Sequence, residues 1–139
     1  MRKTNPFHTR RGSQISVFLE NAPGTLARVA GMLGRRRINI LALSVTEGID
    51  HGYVRMVVDR HAEAVRVLRG AGQLVIEKDV VLLELPNRPG AFARVAAQWA
   101  RAGINLEYAY CANRPDVDQG LVVVRLADTA RALAVLRKG

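Results

Sequence analysis

One stretch of this chain occurs twice. Leu19-Glu-Asn-Ala-Pro-Gly-Thr-Leu-Ala-Arg-Val-Ala30 returns sixty-six residues later as Leu85-Pro-Asn-Arg-Pro-Gly-Ala-Phe-Ala-Arg-Val-Ala96. Carried on to Asn39 and Asn105, the copies agree at 11 of 21 positions without a gap. The identities include Asn21/Asn87, Pro23/Pro89, Gly24/Gly90, Arg28/Arg94 and Ile38-Asn39/Ile104-Asn105. A period this long exceeds that of stacked solenoid repeats and suits a small domain duplicated in tandem. A chain of 139 residues buries roughly two thirds of its unfolded surface, so two such halves need a shared core or a partner copy.

The pattern inside each copy is a strand, then a helix, then further strands. Ile15 to Leu19 alternates as a strand, and the Pro-Gly pair ends it. Leu26, Val29, Ala30 and Leu33 then fall at helical spacing, with Asn21 in a capping or turn position and Pro23 suited to the first helical turn. The branched run Ile38–Val45 predicts a strand covered on both sides. Glu47–Gly52 predicts a turn, Tyr53–Val58 a strand, His61–Arg69 a short helix and Leu74–Ile76 a fourth strand. The second copy repeats the order with strands at Val80–Leu85, Ile104–Cys111 and Gly120–Leu126. Its helical stripes are Phe92, Val95, Ala96, Trp99 and then Thr129, Ala132, Leu133, Leu136. The turn between its second and third strands is two residues longer than its counterpart, and no fourth strand follows its last helix. Each unit thus reads βαββαβ, the split arrangement of ferredoxin-like α+β folds. The implied organisation is a basic N-terminal arm over 1–13, one domain over 14–79 and a second over 80–139. Val80–Leu83 and Leu121–Val124 are apolar on both faces, which calls for cover on the second face and points to a homodimer.

Charge and composition narrow the function classes. The formal net charge is +9, a value that raises the question of a nucleic-acid partner. The excess is mostly arginine spread through both repeats, with clusters at Arg10-Arg11 and Arg35-Arg36-Arg37. The aromatic residues that base stacking needs on the central strands are missing beyond Tyr53, so no nucleic-acid partner is expected. No apolar run approaches the ~20 residues that span a bilayer, and the basic N-terminus lacks a signal core. A single cysteine, Cys111, excludes an internal disulfide and fits a reducing cytoplasm; its place in a strand predicts a buried structural thiol. His8, His51 and His61 are scattered without metal-ligand spacing. Neither a catalytic constellation nor a metal or cofactor site is expected, and the chain reads as a non-enzyme.

The repeated Asn-x-Pro-Gly turn can serve two purposes. It can be a turn with Asn21 as a cap and nothing more. It can also be a site, because the first N–H groups of the helix lack intrahelical acceptors and lie at the positive end of its dipole. A glycine there admits a carboxylate or phosphate close to the backbone. Asn21 and Asn39 could face an ammonium group, and Ile40 and Leu41 could supply an apolar wall.

The run from Ile15 through Leu33, followed by Arg37-Ile-Asn-Ile40, resembles the opening of an ACT domain. It is especially similar to the regulatory small subunit of acetolactate synthase. The resemblance covers 15–79 well, and 80–137 in its first half and general order. It implies two tandem ACT domains, the second lacking its last strand, that bind a small amino acid as ligand and regulate amino-acid metabolism. A separate catalytic enzyme partner, acetolactate synthase, is one implied alternative; a structural dimerisation module with empty pockets is another. By motif, the ligand contacts fall on Asn21, Ala22, Pro23, Gly24, Thr25, Asn39 and Ile40. In the second copy they fall on Asn87, Arg88, Pro89, Gly90, Ala91, Asn105 and Leu106. Two departures stand out. Arg37 occupies a position where the family has glycine, which implies strain of ~1 kcal/mol or more. Glu107 follows where the first copy has Leu41, so the second pocket is either closed or selects another ligand.

Overall fold

The computed structural model describes residues 8–46 and 51–138. In chain order the elements are β1 (His8–Glu20), α1 (Thr25–Arg35), β2 (Ile40–Thr46), β3 (His51–Val58), α2 (His61–Gly70) and β4 (Val75–Pro86). They continue with α3 (Ala91–Arg101), β5 (Leu106–Cys111), β6 (Gln119–Leu126) and α4 (Thr129–Lys138). The chain divides into two compact units. The first spans Ser13–Lys78; the second joins Asp79 onward to the segment ending at Gly12.

In the first unit the strand order is β2-β3-β1 with the start of β4 at the far side. β1 pairs antiparallel with β3 through Ile15–Met56 and Val17–Val54, and β2 pairs with β3 on its other edge. Phe18 N donates to Leu74 O at 3.3 Å, tying the fourth strand on. Period-two residues of β1 and β3 meet the helical stripes of α1 and α2 in one core containing Ile15, Val17, Val29, Leu33, Met56 and Leu68. Both helices therefore cover the same sheet face, as the split βαβ pattern requires. β2 departs from expectation. It is not covered on both sides: Leu41, Leu43 and Val45 are 42, 45 and 55 % exposed. It is an edge strand, with Leu43 and Val45 opposite Met56 and Val54 of β3 and a register shift between Ile40 and Ala42.

The second unit repeats the plan as β5-β6-β4, with Trp99 filling the place of Leu33. The indole is buried, and its Nε1–H donates to the Ala132 carbonyl at 3.0 Å, the partner a buried indole needs. No strand follows α4 among the described residues, yet the sheet edge beside β4 is filled. The start of β1 lies there, with Arg11 3.6 Å from Asp79. Gly12 sits so close to Leu82 that an added Cβ would come within 2.5 Å of its Cδ1, the close approach that a strand glycine permits. Residues 8–13, expected as a flexible arm, are thus strand, while 1–7 lie outside the described residues. The strands expected separately at Leu74–Ile76 and Val80–Leu85 are one continuous β4, and the unit division falls inside it. Of the expected turn at 47–52, residues 47–50 lie outside the described residues, and His51 and Gly52 open β3.

One further expectation is corrected. Cys111, at the end of an edge strand, is exposed rather than buried. Val80, Leu82 and Val123, by contrast, are buried as their apolar pattern requires, although they lie outside the helix-covered core.

Candidate functional site

The turn between β1 and α1 is built by its own backbone. Ala22 N donates to Glu20 O at 2.9 Å, and the Thr25 hydroxyl is shared between Glu20 O at 2.9 Å and Ala22 O at 3.1 Å. Gly24 then takes φ 87°, a left-handed conformation that a side chain would strain. It, and not Asn21, is the residue at the helix start, where no side chain caps; Pro23 precedes the helix instead of opening it. The helical ladder begins with Arg28 N to Gly24 O, so the N–H groups of Leu26 and Ala27 stand ahead of it. Beside this turn is a cavity of about 200 Å³. Asn21, Ala22, Gly24 and Thr25 line it, together with Val45 and Thr46 from the end of β2. Its volume falls below the roughly 300–1,000 Å³ of drug-sized pockets, which suits a molecule the size of a small amino acid.

The structure also brings in residues that the sequence pattern did not single out. Glu20, Gly52 and Tyr53 line the same cavity. Tyr53 packs on Phe18 in a tilted arrangement, 5.4 Å between ring centroids and 49° between planes, and the Arg55 guanidinium lies 4.9 Å above the Tyr53 ring, an arrangement that holds the ring in place. The β1–β3 register, which pairs Glu20 with His51 and Phe18 with Tyr53, puts these groups at the turn. A one-strand pattern does not reveal such a register.

Asn39 and Ile40 lie elsewhere. Asn39 N donates to Asp59 Oδ1 at 2.9 Å, and Asp59 N returns a bond to Asn39 O at 3.1 Å. Ile40 packs against the core. The seven residues of β2 separate this end from Thr46 by about 20 Å, so Asn39 and Ile40 do not face the cavity. Pro23 is exposed in the turn without lining it.

The second unit has the same turn. Gly90 takes φ 84° and Arg88 N donates to Pro86 O at 2.9 Å. Ala91, in place of Thr25, has no hydroxyl and is buried. Here the segment between β5 and β6 folds onto the turn. Asn87 Nδ2 donates to Arg114 O at 2.6 Å and to Val117 O at 2.7 Å, and Asn87 N donates to Asp118 O at 2.8 Å. The Asn113 side chain occupies the space beside Gly120, which corresponds to Gly52 in the first unit. Arg88, Pro89 and Gly90 are exposed at this turn. At the next strand Asn105 is exposed and Leu106 packs on the core. Glu107, 3.5 Å from Arg125 Nε, belongs to the β5–β6 pair. No group of three or more His, Cys, Asp or Glu suited to a metal ion occurs among the described residues, and none of their helices is long and apolar enough to cross a membrane.

No curated protein sequence matches the chain. Among solved structures, a protein of Bacteroides thetaiotaomicron is similar at 32 % identity and TM-score 0.87, covering 94 % of this chain and 89 % of that one. The regulatory subunit of aspartate kinase from Thermus thermophilus, in its ligand-free form, is similar at 19 % identity and TM-score 0.70, covering 95 % of each chain. Its counterpart from Thermus flavus is similar at 18 % and TM-score 0.64, covering 96 % of this chain and 95 % of that one. The two Thermus structures establish likeness of fold. The family model described as an ACT domain pair matches residues 11–138, nearly the whole chain and both repeats, and by that match the chain belongs to the ACT domain pair family.

Proposed function

We propose that this chain is a non-catalytic regulatory protein of amino-acid metabolism that binds a small amino acid at the β1–α1 corner of its first unit. The observation that carries the reading is the cavity beside Gly24. The free N–H groups of Leu26 and Ala27 would receive the ligand carboxylate at the positive end of α1. Glu20 and Asn21 would take the ammonium group, and Leu19, Val45 and Val54 would bound the side chain. Asn39 and Ile40, which the resemblance to ACT domains also implies, can reach such a ligand only from a second copy; their exposed edge strand β2 suits a homodimer. The second unit would then contribute architecture more than binding. Likeness to aspartate kinase regulatory subunits favours action on a separate catalytic chain. The acetolactate synthase alternative rests on the β1–α1 stretch alone and gains nothing from these structures.

Titration with the twenty amino acids, read as a shift in Tm, tests the site. One small amino acid should stabilise the protein, with affinity of about 1 μM to 1 mM, the range of roughly 4 to 8 kcal/mol. Gly24 is an unsuitable target because any side chain there strains the backbone. Ala22→Phe, at an exposed turn position, fills the cavity without that strain and should abolish the shift while leaving the unliganded Tm unchanged. No shift with any amino acid, or a shift that survives Ala22→Phe, would reject the assignment.

A further inference from the structure

A second cavity, of about 460 Å³, lies between α1 and α2 of the first unit. Arg35, Arg36 and Arg66 line it with Met32 and Val67, and no acidic residue does. Among the described residues, no carboxylate pairs with any of these three arginines. Glu63 on α2 is taken by Arg60, which also donates to the Arg36 carbonyl at 3.1 Å and so fixes the Arg36 backbone.

The fold itself does not require this concentration of charge. The second unit builds the same helix pair, with Ala132, Leu133 and Leu136 buried as Ala64, Val65 and Leu68 are. By that correspondence Arg66 becomes Ala134, Arg36 becomes Ala102, and only Arg35 keeps its counterpart, Arg101. A basic residue in the last helical turn complements the helix dipole. That accounts for Arg35 and Arg101, but not for Arg66 in the middle of α2. Two arginines are thus added in one unit, around one cavity, with no carboxylate partner among the described residues.

We propose that the α1–α2 cavity of the first unit binds a phosphorylated small molecule carrying two or more negative charges. Guanidinium forks match phosphate oxygens bidentately and stay charged at every physiological pH. Met32 and Val67 offer an apolar wall for the organic part. The volume lies within the roughly 300–1,000 Å³ typical of organic ligands, unlike the smaller corner cavity.

The experiment is isothermal titration of the full chain with inorganic triphosphate and, separately, with adenosine triphosphate, both free of divalent metal. We expect saturable binding that weakens as salt is raised from about 0.05 to about 0.2 M. The double variant Arg36→Ala/Arg66→Ala installs the residues the second unit already carries, so it should fold with an unchanged circular dichroism spectrum. It should lose affinity by at least about tenfold, whereas Arg101→Ala should bind as the parent does. Binding should survive Ala22→Phe, which separates this site from the amino-acid corner. Absence of saturable binding by both phosphates would overturn the proposal, as would equal binding by the double variant. A labelled single-stranded RNA that binds the parent and not the double variant, with neither phosphate binding, would also overturn it and assign the surface to a polymer.

Discussion

The two β1–α1 corners share a sequence and differ at the residue after the glycine, Thr25 in one and Ala91 in the other. Both begin with an asparagine, pass through Pro-Gly and place the glycine at φ 87° and 84°. In the first unit Thr25 closes the turn on itself and a cavity remains beside it. In the second, Ala91 has no hydroxyl, and Asn87 donates to the carbonyls of Arg114 and Val117. The glycines therefore do not mark a binding site. Each is needed for a left-handed backbone, whether or not a ligand could follow. Among the described residues the corners differ in the hydroxyl at 25, which Ala91 lacks in the second unit.

The sharpest way to break this contrast is to release the second corner. Asn87→Ala removes two side-chain hydrogen bonds, so chemical denaturation should show a loss of about 2 kcal/mol. Thr25→Val, which removes the hydroxyl shared between Glu20 O and Ala22 O in the first corner, should lose about half of that. A larger loss at Thr25 than at Asn87 would show that the first corner leans more on its side-chain bonds than the second. A smaller contrast lies at the exit of the first helix in each unit. Arg37 takes φ 56° where Gly103 takes φ 71°. Arg37→Gly should stabilise by about 1 kcal/mol, and Gly103→Arg should destabilise by a similar amount. No side-chain clash interferes with the second, because a Cβ at Gly103 meets nothing within 4 Å. The smallest effect concerns the segment over the second corner. The Arg114 guanidinium holds the exposed Asp116 carboxyl below its ordinary 3.8. The folded value is depressed, so this contribution is present above 3.8 and is lost as pH falls through the lowered value. The difference in Tm between Asp116→Asn and the parent should be slight at neutral pH and should close below that window.

Much of the fold was legible because burial is periodic. The helical stripes at Val29 and Leu33 and at Val95 and Trp99, and the alternation of Ile15 and Val17, are direct consequences of one buried face per element. β2 is the exception: its branched run suggests cover on both sides, yet Leu41, Leu43 and Val45 are exposed, because position at a sheet edge is not written in the local pattern. β1 likewise begins at His8, ahead of the apolar alternation that starts at Ile15. Residues 8–12 are polar, and their strand conformation comes from the neighbouring β4 and not from their own propensity. At the site, the turn residues were found from the motif. Glu20, Thr46, Gly52 and Tyr53 were not, because they reach the corner only through the register of β1, β2 and β3.

The duplication, the ferredoxin-like order of each half and the need for glycine at both turns follow from the sequence alone, since each is set by contacts and torsions within a few residues. Tertiary structure decided which groups join the first corner, which end of β2 faces it, and which segment fills the sheet edge beside β4. Those outcomes depend on segments distant in the chain competing for the same space and the same backbone hydrogen bonds, and a local pattern carries no record of that competition.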